Sequence, residues 1–263
     1  RIFECQTNDL VYRFRTKMIM RPESVNEIVR LAFKYAESEK PGATHINLPE
    51  DIAKEEVPEG VSRKFITTAP KNKEYADIES IEHAAAAIFQ AEHPVILAGH
   101  SAVRAKASEA LTEFATNPKI PGVNTMMAKG IIPYDNPYSM WTIGIPQKDY
   151  QNVILEKADL IIAVGYDIVE FAPIKWNLKD DHKIIHIDSR PSHVNKLYQP
   201  VTEVIGDISD SLEKIGNRCH RTKEPEQALA IKKRMSEEHE QYENDMAYPV
   251  KPQKILCDIR SVI

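Results

Sequence analysis

Cysteine and glycine are scarce in this chain, with three and nine among 263 residues. Cys5, Cys219 and Cys257 lie far apart and form no Cys-x-x-Cys pair or zinc spacing. That excludes a disulfide framework and fits a reducing, cytoplasmic compartment. A basic excess is also missing: 34 Lys and Arg face 39 Asp and Glu, a formal net charge of -5. A nucleic-acid partner is therefore not expected. Apolar runs such as Leu160–Val164 fall far short of the roughly 20 residues a membrane span needs, so no membrane role is expected. The few glycines spell neither a Gly-x-Gly-x-x-Gly fingerprint nor a Gly-x-x-x-x-Gly-Lys phosphate loop.

What is present is a globular balance, with 42% hydrophobic and 28% charged residues. At about 150 residues per domain the length predicts one or two domains. Val25, Ile28, Val29, Ala32, Phe33 and Ala36 form a helical stripe after a Ser24…Glu27 capping box. Ala43 to Leu48 reads as a strand, and residues 54–77 as a charged linker containing Pro58, Gly60 and Pro70. From Ile78 onward helices alternate with apolar strands: Val95–Gly99, Ile120–Thr125, Leu160–Gly165, Lys183–Asp188 and Val204–Asp207. Strands without polar alternation are covered on both faces. The expected fold class is α/β, a doubly wound and mostly parallel sheet with helices on both faces. A charged segment after Arg221, with Ala228, Ile231, Met235 and Tyr242 on one side, reads as a surface or inter-domain helix. The chain opens on Arg1 and stops inside the apolar pattern Ile255, Leu256, Ile259, Val262, which reads as a piece of a longer polypeptide.

Ligands of such sheets bind at the carboxyl ends of the strands. Here those ends are Gly99, Thr125, Gly165, Asp188 and Asp207, the candidate cofactor-binding positions. Gly99-His100-Ser101-Ala102-Val103 follows a strand, as a hydrolase nucleophile elbow does, but lacks the second glycine. An ordinary strand-to-helix turn is the plainer reading. His182, His186, Asp188 and His193 could be read as a ligand cluster, with a satisfied core histidine as the alternative. Arg13, Arg15, Lys17 and Arg21 read as a solvated basic face, and Trp141 and Trp176 as packing before pocket lining. The residues alone thus give an α/β domain with a crevice and no catalytic constellation.

Five strings, in order, resemble one family. Glu39-Lys40-Pro41-Gly42-Ala43-Thr44-His45-Ile46-Asn47-Leu48-Pro49-Glu50-Asp51-Ile52-Ala53 is similar to the end of the N-terminal domain of acetolactate synthase large subunits and related thiamine-diphosphate enzymes. Ile120-Pro121 through Thr125-Met126-Met127-Ala128-Lys129-Gly130 resembles a run of their central domain. So do Ala158 to Asp167, Ile184 to Asp188, and Tyr198-x-Pro200 with Val204-Ile205-Gly206-Asp207.

The resemblance implies a carboligase that decarboxylates pyruvate and condenses it with a second 2-oxo acid to 2-acetolactate. Another thiamine-diphosphate decarboxylase or acyltransferase, or a non-catalytic nucleotide-binding module, is the alternative. The implied cofactors are thiamine diphosphate and Mg²⁺, held in the family by a glutamate and a Gly-Asp-Gly…Asn-Asn motif. This sequence has no Gly-Asp-Gly and no Asn-Asn, and the glutamate is expected before Arg1. The implied layout is residues 1–53 as the tail of the N-terminal pyrimidine-binding domain and 54–77 as linker. Residues 78–220 would be the central domain, and 221–263 an inter-domain helix with the start of the diphosphate-binding domain. No catalytic residue and no metal ligand is expected in the chain, which would be inactive alone. Gln6 corresponds to a family glutamine lining the substrate pocket, with a surface glutamine as the alternative. Flavin-carrying members have a glycine-rich turn and a Gly-x-Arg-Phe-Asp-Asp string. Here those places read Gly99-His100-Ser101 and Gly165-Tyr166-Asp167-Ile168-Val169-Glu170. The second string resembles the flavin-independent catabolic type, so FAD is disfavoured. A homodimer or homotetramer is implied.

Overall fold

A computed structural model describes residues 16–38, 41–60, 73–144, 149–193 and 195–262. The chain divides into two compact units, Arg1–Asn72 and Lys73–Ile263.

In the first unit, β1 (Thr16–Met18) pairs in parallel with β2 (His45–Asn47). Between them runs α1 (Val25–Glu37), which buries Ala32; a short α2 (Glu50–Lys54) follows β2. The capping box does not form. Pro22 starts a 3₁₀ turn one turn early, so Ser24 is already in helical geometry. Its hydroxyl donates to the Arg21 carbonyl at 2.8 Å. Lys17 and Arg21 are exposed, whereas Arg13, Arg15 and Gln6 lie outside the described residues.

The second unit holds a six-stranded sheet of order β5-β4-β3-β6-β7-β8. Its strands are β3 (Pro94–Ala98), β4 (Gly122–Asn124), β5 (Ser139–Thr142), β6 (Leu160–Val164), β7 (Lys183–Asp188) and β8 (Thr202–Ile205). All five pairings are parallel. The chain steps outward from β3 to β5, returns, and steps out the other way from β6, so the order reverses between the two central strands. The sequence pattern omits β5. Ser139-Met140-Trp141-Thr142 has no apolar run, and β5 lies at the sheet edge.

The helices are α3 (Ile78–Gln90), α4 (His100–Arg104), α5 (Ser108–Thr116), α6 (Tyr150–Glu156), α7 (Ile208–Gly216), α8 (Glu226–Glu240) and α9 (Pro252–Val262). Strand side chains alternate faces, so each apolar strand feeds two cores. Ile96, Leu160, Ile162, Val164, Ile185 and Ile187 meet α3, α5 and α7 on one face. Val95, Leu97, Ile161, Ala163 and Ile184 meet α6 and α8 on the other. That is why these strands carry no polar alternation. Each fully buried Ile or Leu contributes about 1.5–3 kcal/mol. The charged helix α8 buries Ala228, Ile231 and Met235 in the second core. In α9 the apolar pattern points outward: Ile255, Leu256, Ile259 and Val262 are exposed, and Cys257 is buried. Among the described residues no helix is long and apolar enough to cross a membrane.

Candidate functional site

The reversal of strand order puts the turns after β3 and β6 side by side, and two glycines let them interlock. The Gly99 amide donates to Val164 O at 2.9 Å, and the Ser101 amide to Gly165 O at 2.9 Å. Gly165 has a φ of +59°, and a Cβ there would stand 2.2 Å from the Ala102 nitrogen. A Cβ on Gly99 would stand 2.5 Å from Tyr166 Cα. Both glycines are therefore demanded by the opposite turn.

Glu170, on the loop after β6, completes the cluster. Both its carboxylate oxygens lie 3.0 Å from the His100 amide, and Oε2 accepts from Thr125 Oγ1 at 2.6 Å. One carboxylate thus ties the turns after β3, β4 and β6. Thr125 is buried, so its hydroxyl needs such an acceptor.

Three of the five strand-end candidates, Gly99, Thr125 and Gly165, come together here. The other two have separate partners. Asp188 accepts from the Ser189 amide at 2.6 Å. Asp207 caps α7, accepting from the Asp210 amide at 3.0 Å, and pairs with Lys73 at 3.1 Å. Partial burial pulls the Asp207 carboxyl upward. The Asp210 amide and Lys73 outweigh it and hold the group below its ordinary value.

The remaining chemical candidates also have protein partners. Ser101 is buried, and its hydroxyl accepts from Arg104 Nη2 at 2.7 Å, which is no exposed nucleophile elbow. His182 Nδ1 meets the Ala158 carbonyl at 2.9 Å. His186 Nε2 lies 3.1 Å from the Arg190 carbonyl and Nδ1 2.8 Å from Tyr198 Oη. A carbonyl only accepts, so Nε2 carries a proton. His193 is exposed. Trp176 is buried and donates to Tyr166 Oη at 3.3 Å. Trp141 stacks on Tyr134 with ring centroids 4.5 Å apart. Burial raises the phenols of both Tyr166 and Tyr198 above the ordinary range, so both stay protonated.

A second candidate lies at the amino end of the sheet, where a cavity of about 30 Å³ is lined by His93, Val95, Ile154, Lys157, Arg221 and Ile231, among others. Arg221 is buried there and donates to four carbonyls: Nη1 to Pro118 at 3.2 Å, Lys119 at 3.4 Å and Lys223 at 2.5 Å, and Nη2 to Glu92 at 3.2 Å. Its Nε has no hydrogen-bond partner among the described residues.

The strand order and interlocked central turns define a doubly wound, Rossmann-like α/β domain. Residues 81–215 match the family model described as thiamine pyrophosphate enzyme, central domain, and the chain belongs to that family. It is 29% identical over 249 residues to an acetolactate synthase of Bacillus subtilis (strain 168), covering 92% of this chain and 43% of that protein. It is 33% identical over 205 residues to a probable acetolactate synthase large subunit of Methanocaldococcus jannaschii, covering 74% and 34%. A catabolic acetolactate synthase of Raoultella terrigena is 31% identical over 202 residues, covering 76% and 35%. The chain spans less than half the length of each of these relatives.

The family name implies thiamine diphosphate, but the residues at hand do not fit its diphosphate and cation. The sequence lacks Gly-Asp-Gly and Asn-Asn. Among the described residues no three His, Cys, Asp or Glu side chains gather where they could hold a metal ion.

Sequence reasoning missed Glu170 as a site residue. Its partners lie 45 and 70 residues away, beyond any local pattern. The one signal was an acid three residues after Asp167, on the loop leaving β6.

Proposed function

We propose that this chain is the central part of a thiamine-diphosphate-dependent carboligase, one that decarboxylates pyruvate and joins it to a second 2-oxo acid to give 2-acetolactate. In this reading the chain supplies scaffold and subunit contacts rather than bond chemistry. The observation that carries it is the central-domain match over residues 81–215, on a fold whose strand-end carboxylates are engaged by protein donors. The similarity to acetolactate synthases supports the substrate.

The same reading assigns residues 1–53 to the pyrimidine-binding domain, 54–77 to a linker, 78–220 to the central domain and 221–263 to the approach to the diphosphate-binding domain. It places Gln6 at the substrate pocket, Mg²⁺ with the diphosphate, and the enzyme in a cytoplasmic homodimer or homotetramer. The test is acetolactate formation from pyruvate by the complete gene product, with and without thiamine diphosphate and Mg²⁺, beside the 263-residue chain. Activity only in the complete, cofactor-supplied protein is expected. Activity of the chain without the cofactor would overturn the reading.

A further inference from the structure

Parallel sheets of this strand order take dinucleotides in the crevice where the order reverses, and the glycines there leave bare backbone for a pyrophosphate. In this protein the bare backbone of each turn is already covered by the other. The Cβ position of Gly99 is ringed by Tyr166 Cα at 2.5 Å, Gly165 O at 2.6 Å and Glu170 Oε1 at 3.1 Å. That of Gly165 is blocked by the backbone of Ala102 at 2.2 Å. The neighbouring donors are also engaged. The His100 amide and the Thr125 hydroxyl, two groups that could have met a phosphate oxygen, both donate to Glu170. A phosphate arriving there would face a carboxylate at short range, where like charges repel strongly.

We propose that Glu170 is a specificity-determining residue whose carboxylate stands in for a ligand phosphate and closes the crevice between β3 and β6 to dinucleotides. The inference deepens the reading of this unit as scaffold, and rests on that reading only for the choice of FAD as one probe. The geometry itself requires no family. A carboxylate suits this place because, anchored on one loop, it accepts from two others without needing to leave. The closure is thereby part of folding, and the turns after β3, β4 and β6 move as one body.

The experiment titrates FAD and ADP onto the purified chain by flavin-fluorescence quenching and calorimetry. It compares wild type with Glu170→Gln, which keeps the size and removes the charge, and with Glu170→Ala, which empties the position. Wild type is expected to show no saturable binding of either probe. Each variant is expected to bind ADP at least tenfold more tightly than wild type, and acetate to raise the melting temperature of Glu170→Ala by a few degrees while leaving wild type unmoved. Should Glu170→Ala fail to fold, Glu170→Gln carries the comparison alone. Saturable binding of FAD or ADP to wild type overturns the proposal, as do variants no more receptive than wild type. Loss of the carboligase reading has a different signature. The complete protein would then make no acetolactate, while the ADP result at Glu170 stood unchanged.

Discussion

At the carboxyl end of the sheet one carboxylate gathers donors, and at the amino end one guanidinium gathers acceptors. Glu170 accepts from the His100 amide and the Thr125 hydroxyl. Arg221 donates to the carbonyls of Glu92, Pro118, Lys119 and Lys223, residues that lead into β3 and β4 or follow α7. The two charges have opposite sign because the groups around them do: donors face Glu170 and carbonyls face Arg221, and buried polar groups of either kind need partners. The ends differ in fit. Around Glu170 the turns interlock with no space for a Cβ. Around Arg221 a cavity of about 30 Å³ remains, room for a water or two, and Nε is unpartnered among the described residues. The end where such sheets bind ligands is here the tighter one.

Four substitutions would break or sharpen this contrast. Gly165→Ala attacks the tight end most directly. It combines a φ of +59° with a Cβ 2.2 Å from backbone nitrogen, so a loss of about 2–5 kcal/mol is expected in urea unfolding. Arg221→Met tests the looser end. It fills similar volume but abandons four carbonyls, and about 2–3 kcal/mol should be lost by the same measurement. A loss as large as that of Gly165→Ala would erase the distinction between the ends.

Asp207→Ala removes a helix cap at the far edge of the same sheet end, after β8, at a cost of about 1 kcal/mol at neutral pH. Its pH dependence has a definite sign. The folded pKa lies below the ordinary value, so the unfolded chain takes up the proton first as pH falls. The stabilisation is complete above the unfolded value of about 4 and disappears as pH drops through the lower folded one. The gap between wild type and Asp207→Ala should therefore close in acid unfolding series below about pH 4. Val169→Ala, on the same loop as Glu170 but exposed, should change stability by less than about 0.5 kcal/mol in urea melts.

Much of the frame was legible before the structure. Leu160–Val164 and Lys183–Asp188 announce buried strands because each feeds two cores at once. The strand-end glycines were legible as positions but not as causes. Gly99 and Gly165 read as possible room for a ligand, whereas each makes room for the opposite turn. β5 was illegible because its four residues show neither a run nor an alternation. Glu170 was illegible because its meaning lies in donors on two other strand ends. The capping box failed for a local reason, since Pro22 had already begun the turn.

Amide hydrogen exchange at His100 and Ser101 tests the closed crevice most directly. Both amides sit at a strand-to-helix turn, where rapid exchange is the ordinary expectation. Locked by Glu170 and Gly165 O, they should exchange as slowly as the amides of β6, and His100 should lose that protection in Glu170→Ala, which removes the acceptor. Exchange in wild type at the rate of exposed loop amides would mean that the crevice opens freely, and would contradict the account.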